Sequence, residues 1–369
     1  MEHVDPLPLR TRPRASVIVP CYNYGRFLPD AVAGALDQPG VDIEVIIADN
    51  GSTDDSLAVA ERLAAADSRI RIHRRPHNID YLENFNAGLA LATGAYVQVL
   101  CADDLLAPGA ISRAVAVMEE RADVVFVYGT CPTFVTEPRR QPRTHVRGCT
   151  YSNGRDWVLR RYRHGDNIIR HPEVVMRTSV LREIGGYDPA FGYSSDLLLW
   201  IRAALRGTVA RIDGPDQGYY RIHGSNLHLT QNAAGWLKDL TAKQEVFEAV
   251  PALDPDAGIT AADVETARRA LARRAAQYAC REFSHTAPQS RELGARYADY
   301  ARELSPAIEH SARWRCIDRS RRTSGTAMPR MWAAADGLRR RAGLLGGLEQ
   351  LGGAGQRGRS DAISWERGR

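Results

Sequence analysis

The chain has 369 residues, 44% of them hydrophobic, and a net charge of +5; at about 150 residues per domain this allows two domains and a sizeable core. From Ser311 to Arg369 thirteen arginines face five acidic residues, a net +8 that leaves the preceding body at −3. The basic character belongs to the C-terminal arm, and the body needs no polyanionic partner, so no nucleic acid is expected.

The elements alternate from the start. Ala15–Pro20 is a short β-branched apolar run, Phe27–Leu36 has helical character, Glu44–Ala48 reads as a second strand and Asp54–Ala66 as a second helix. Arg69–His73 alternates with period two, Tyr81–Ala92 is helical, Ala95–Cys101 is a strand, Pro108–Arg121 a helix opened by its proline, and Asp123–Tyr128 a strand. Apolar strands alternating with helices predict an α/β fold with a mainly parallel sheet covered on both faces. The stretch Thr130–Gly154, with Pro132, Pro138 and Pro142, reads as a flexible connection or lid. Regular signals return at Glu173–Met176, Asp196–Leu205, Val209–Ile212 and Tyr219–Ile222. Beyond about Asn232 the strand signals stop. Trp236–Val250 and Ala261–Phe283 are Ala/Arg/Glu-rich helices, and past Pro329 the chain becomes Gly/Arg-rich and is expected to end in disorder.

In parallel sheets ligands bind beyond the carboxyl ends of the strands, and here the polar residues gather at those ends. The first strand runs into Pro20-Cys21-Tyr22-Asn23 and the second into Asp49-Asn50-Gly51-Ser52-Thr53-Asp54. Such groups suit a nucleoside, although Ser52, Thr53 or Asp54 is equally suited to capping the next helix. The fourth strand runs into Asp103-Asp104, adjacent carboxylates that repel unless a cation or donor pairs with them; the alternative is a solvated turn. Mg²⁺ or Mn²⁺ bridging a diphosphate fits one or two carboxylates. Asp196 opens an apolar helix, where it is either a general base or a residue favoured by the helix dipole. His223 closes the last strand beside Gly224, as a ligand or as a structural histidine. Gly353-x-Gly355-x-x-Gly358 follows no strand, so it is not a dinucleotide fingerprint.

Taken in order, Ser16-Val17-Ile18-Val19-Pro20-x-Tyr22-Asn23, Asp49 to Asp54, Leu100-Cys101-Ala102-Asp103-Asp104, Gly185-Gly186-Tyr187-Asp188, and Asp196 four residues before Trp200 resemble a family 2 glycosyltransferase of the GT-A fold, over about Ala15–Asn226. The resemblance implies a nucleotide-diphospho-sugar transferase fold with a helical C-terminal appendage. It implies a nucleoside held by Pro20, Tyr22, Asn23, Asp49, Asn50 and Asp103, and a divalent Mn²⁺ or Mg²⁺ on Asp104 with His223. It also implies a diphosphate contacted by Arg221 and His223, and Asp196 as the catalytic base of an inverting displacement. Two positions depart from the family pattern: Asn50 stands for the second acid of the usual Asp-Asp-Gly-Ser, and Ser195 for the Glu before the catalytic Asp.

The domain layout expected is an N-terminal tail over 1–14, a catalytic domain over 15–230, a helical region over 231–325 and a basic tail over 326–369. The partners expected are a nucleotide-sugar donor and a glycan or lipid-linked acceptor, as in polysaccharide or glycolipid assembly. Met331, Ala335, Leu338, Ala342 and Leu345 fall near helical spacing beside arginines, which offers peripheral contact with an anionic membrane, while Gly337, Gly343, Gly346 and Gly347 weaken that helix. Six cysteines without C-x-x-C spacing, and no apolar leader in the first fourteen residues, point to the cytoplasm. Two rival functions are a sugar nucleotidyltransferase, against which stands the lack of a Gly-rich phosphate loop after the first strand, and a non-catalytic nucleotide- or glycan-binding protein on a decayed transferase, against which stands the retention of Asp103, Asp104 and Asp196 together.

Overall fold

In the computed structural model, residues 9, 11–137, 141–226, 235–322, 331 and 334–335 are described. They fall into two compact units, 1–158 with 169–224 and 159–168 with 225–369. The basic tail, the arginine-flanked apolar spacing after Met331 and the Gly353–Gly358 motif lie outside the described residues, apart from Met331, Ala334 and Ala335.

The first unit is built on an eight-stranded sheet. Its strands are β1 (Arg14–Cys21), β2 (Asp42–Asp49), β3 (Ile70–Arg74), β4 (Tyr96–Val99), β6 (Val124–Thr130), β8 (Gly148–Asn153), β9 (Val175–Arg177) and β10 (Thr208–Asp216), in the order β3-β2-β1-β4-β9-β6-β10-β8. Strands β3, β2, β1 and β4 run parallel, as do β6 and β10; β9 and β8 enter antiparallel, so the sheet is mixed. β1 and β2 are buried from their second residue onward, because both faces are covered. On one face Val17, Val19, Val45 and Ile47 pack in one cluster with Leu28 and Val32 of α1 (Leu28–Leu36) and Ile111 and Val115 of α4 (Ala110–Glu120).

The stretch read as a loop or lid is partly ordered sheet. Gly148–Asn153 forms an edge strand in register with β10, and Thr133–Phe134 is the two-residue strand β7. An edge strand with one solvated face keeps polar residues, so GCTYSN carries little apolar signal. A second, three-stranded sheet joins β7, β5 (Leu105–Leu106) and β11 (Gly218–Arg221). Its register pairs Gly218 with Leu106 and Tyr219 with Leu105. This small sheet matters most for the site: it returns the end of β11 to the residues that precede β5.

The second unit is helical among the described residues, with helices Leu237–Leu253, Ala261–Phe283, Pro288–Leu304 and Ala312–Arg322. Ala267, Ala270, Ala275, Ala276 and Ala279 line the buried face of its longest helix, and small side chains of this kind let helices approach closely. Tyr297, Phe247 and Phe283 supply the bulk of the unit's core.

Candidate active site

The strand ends of β1 and β2 are zipped together. Asn23 takes a left-handed backbone, with φ of 58°. Its side-chain Oδ1 accepts from the Thr53 N–H at 2.8 Å and the Asp54 N–H at 3.3 Å, while its own N–H donates to Ser52 Oγ at 3.1 Å. Asn tolerates this backbone because its short side chain can hydrogen-bond locally. Gly51, with φ of +70°, passes so close to His77 that a Cβ would lie 2.5 Å from backbone carbon. Pro20 is buried in β1, and its carbonyl accepts from the Ala102 N–H at 3.3 Å, tying this turn to the next. Tyr22 is 40% exposed on the rim.

Asp49 and Asn50, side by side at the end of β2, differ in their use. Asp49 is buried; Oδ2 accepts from the Ser52 N–H at 3.3 Å and Oδ1 has no partner. Asn50 is committed. Its Nδ2 donates to Asn78 Oδ1 at 2.7 Å and to the Ile79 carbonyl at 2.9 Å, and its Oδ1 accepts from the Ile79 N–H at 3.1 Å.

The turn after β4 carries the acid pair. The Asp104 N–H donates to the Cys101 carbonyl at 2.9 Å. Asp104 is 1% exposed, and its Oδ1 accepts the Arg221 N–H at 2.9 Å. The Arg221 Nε donates to the Asp103 carbonyl at 2.7 Å, and Nε2 of His223 lies 2.9 Å from Asp103 Oδ2. These contacts follow from the β5–β11 register, which sets the residues after Tyr219 opposite those before Leu105. The Arg221 guanidinium is held over two rings, 4.6 Å from Phe27 and 4.4 Å from Phe134. His223 packs on Phe27 at 5.2 Å and edge-on to Tyr24 at 5.6 Å.

Burial, with Asp103 alongside, pushes the Asp104 carboxyl well above its usual range; the Arg221 N–H and the charges of Arg170 and Arg221 pull against that rise. Burial raises the Cys101 thiol too, and Asp104, Asp103 and Asp196 add to it. Cys101 therefore feels the acid pair and Asp196 together. Asp196, half-buried in the first turn of α7 (Ser195–Ala204), accepts from the Leu197 N–H at 2.7 Å. Its charge also reaches Tyr81 and Tyr187, whose hydroxyls burial has already raised. Behind it stands an aromatic wall in which Phe85, Tyr187 and Trp200 surround the His171 ring at 5.9, 5.7 and 6.0 Å. Burial holds that imidazole down to about 4, neutral at physiological pH.

The structure thus brings Asp103, Asp104, Arg221 and His223 together, with Asp196 within electrostatic reach of the same cysteine. Arg170, Phe27 and Phe134 join them without any local sequence signal. Arg170 donates to the Cys131 carbonyl at 2.6 Å and lies over the Tyr220 ring. Only the long-range pairing of β11 makes these residues neighbours.

The Glycosyl transferase family 2 profile matches residues 16–184. An uncharacterised glycosyltransferase of Nostoc sp. is 30% identical over 224 residues, 60% of this chain and 68% of the relative. A hyaluronan synthase of Pasteurella multocida is 33% identical over 128 residues, 35% of this chain and 13% of its own length. In structure, the chain resembles Staphylococcus aureus TarS 1–349 in complex with UDP-GlcNAc, with a TM-score of 0.58 and 16% identity, covering 89% of this chain and 92% of that one. That likeness establishes the GT-A-type fold of the chain.

Proposed function

This chain belongs to glycosyl transferase family 2 and is a glycosyltransferase, and we propose that it is an inverting enzyme that moves one sugar from a nucleotide-diphosphate donor onto an acceptor hydroxyl. The observation that carries this reading is the convergence of Asp103 and Asp104, in the turn after β4, with Arg221 and His223 at the end of β11.

Asp196 is the proposed base. In the first turn of α7 it is fixed by the Leu197 N–H and stays half-buried, able to accept the proton of an incoming hydroxyl. Arg221 and His223 are the proposed diphosphate contacts. The two aromatic rings hold the Arg221 guanidinium in place before donor arrives, so little ordering cost remains at binding. For the nucleoside, Pro20, Tyr22, Asn23, Asp49, Asn50 and Asp103 form the proposed cradle. Asp49 Oδ1, a buried acceptor without a donor, would be satisfied by a ribose hydroxyl or a base N–H.

Asp104 and His223 are the proposed holders of a divalent cation, Mn²⁺ or Mg²⁺. The residues fit one: Asp104 is a buried carboxylate with Oδ1 held by the Arg221 N–H, and one of its oxygens lies within 4.8 Å of a carboxylate oxygen of Asp103. When bound, the cation supplies charge neutralisation at the leaving diphosphate. The acceptor class, a glycan or lipid-linked saccharide, is proposed from the stretch shared with hyaluronan synthase. A cytoplasmic site of action is supported by six cysteines of which none is in a disulfide, and peripheral membrane contact is assigned to the basic arm.

A sugar-nucleotide panel tests this. Nucleotide should be released from one donor with Mn²⁺ or Mg²⁺ and not with chelator. Release that ignores chelator removes the cation from the reading. Pyrophosphate as product marks a nucleotidyltransferase, and donor binding without any release marks a binding protein.

A further inference from the structure

Cys101 heads the turn that carries the acid pair. Its Sγ, an Asp103 carboxylate oxygen and an Asp104 carboxylate oxygen lie within 4.8 Å of one another, near enough for one ion to touch all three. The turn enforces the grouping, since the Asp104 N–H bonds back to the Cys101 carbonyl. The thiol is in no disulfide. Beside it, Asp104 is buried and its Oδ1 accepts the Arg221 N–H; a cation or a proton at the carboxylate would offset the cost of burying its charge. His223, against the Oδ2 of Asp103, is placed to fix the orientation of that carboxylate.

We propose that Cys101 supplies a sulfur ligand to the divalent cation of this site, so that the site favours Mn²⁺, Co²⁺, Zn²⁺ and Cd²⁺ over Mg²⁺. The inference rests on the cation reading above and adds to it a ligand type. Carboxylate oxygens suit Mg²⁺ and the His223 imidazole suits borderline ions, whereas a thiolate shifts preference further toward softer ions such as Cd²⁺. On binding, the S–H bond breaks, its electron pair goes to the metal and the proton leaves to solvent; nothing is oxidised or reduced.

The test uses the full chain titrated with Co²⁺, Cd²⁺, Mn²⁺ and Mg²⁺, with and without UDP or GDP, followed by absorbance and equilibrium dialysis. The wild type should show a near-ultraviolet sulfur-to-cobalt charge-transfer band. Cys101→Ser and Cys101→Ala should lose the band and bind Cd²⁺ at least about tenfold more weakly, the lower end of what losing even an outer partner costs. Their Mg²⁺ affinity should stay within about twofold of wild type. The other five cysteines are buried, so the variants assign the band. A Co²⁺ complex with visible bands but no charge transfer, or an unchanged Cd²⁺ affinity in Cys101→Ser, overturns the sulfur ligand and leaves the Asp104–His223 site standing. A folded wild type that takes up none of these ions overturns both.

Discussion

Nε2 of His223 lies 2.9 Å from Oδ2 of Asp103, across 120 residues of chain. The pair exists because β11 adds to β5, which begins directly after Asp104. A histidine in this position either ligates the cation or orients a carboxylate that does, and loss of an orienting partner alone typically costs about 10–100-fold in metal affinity. His223→Ala should therefore weaken Mn²⁺-dependent donor binding by about that factor, measured calorimetrically, and donor binding with chelator by less, since there only its diphosphate contact is lost. Unchanged Mn²⁺ dependence would remove His223 from the cation site.

Asp196 is expected to separate chemistry from binding. Asn retains an oxygen that can accept the Leu197 N–H, so α7 should start as it does now, but an amide takes no proton. A positioned base is typically worth about 10²–10⁴-fold. Asp196→Asn should lose turnover by that amount with donor affinity within a few-fold of wild type. Wild-type turnover in this variant would show that another group takes the acceptor proton.

Much of this site was readable from the sequence because β1, β2 and β4 are buried on both faces. Runs such as Val17-Ile18-Val19 and Val45-Ile46-Ile47 mark such strands, and the polar residues that interrupt them must sit at strand ends. The edge strand Gly148–Asn153 was missed for the opposite reason, as its solvated face keeps polar side chains. Phe27, Phe134 and Arg170 carry no local signal. Each gains its part from pairing distant in sequence, above all the register of β11 against β5 and β7. Asn50 was visible as a departure from the family's acid, but its bond to Ile79, 29 residues away, was not.

That bond makes a prediction contrary to the family pattern. The Asn50 amide pairs at two points with Ile79, giving Nδ2–H to its carbonyl and taking its N–H. Asn78 can turn its own amide to meet a carboxylate, but the Ile79 carbonyl cannot. Asn50→Asp therefore faces a buried anion against a carbonyl oxygen that has lost its donor. Leaving a buried group unsatisfied costs about 1–3 kcal/mol, which should lower Tm by several degrees in thermal denaturation. A Tm equal to or above wild type would mean that this loop is not held by Asn50.

Glu173 provides a pH signature apart from catalysis. It is buried, with Oε1 accepting the Arg170 N–H at 2.9 Å, and burial pushes its carboxyl from an ordinary 4.5 up to about 7 against the pull of Arg170. Below about 4.5 the group is protonated in both folded and unfolded chains and adds no pH dependence. Between 4.5 and 7 the folded chain keeps the proton while the unfolded chain has released it, so this group makes stability fall as pH rises. Above 7 the whole cost of a buried anion is present. Glu173→Gln preserves an acceptor for Arg170 and cannot ionise. Its stability relative to wild type should be near zero at pH 4.5 and rise to the order of 1–3 kcal/mol in its favour at pH 8, from urea denaturation at both values. A difference that stays flat with pH, or that favours wild type at pH 8, would mean the carboxylate is already ionised and well paired in the folded protein, with Arg170 or Arg211 as the partner whose replacement should then bring the slope back.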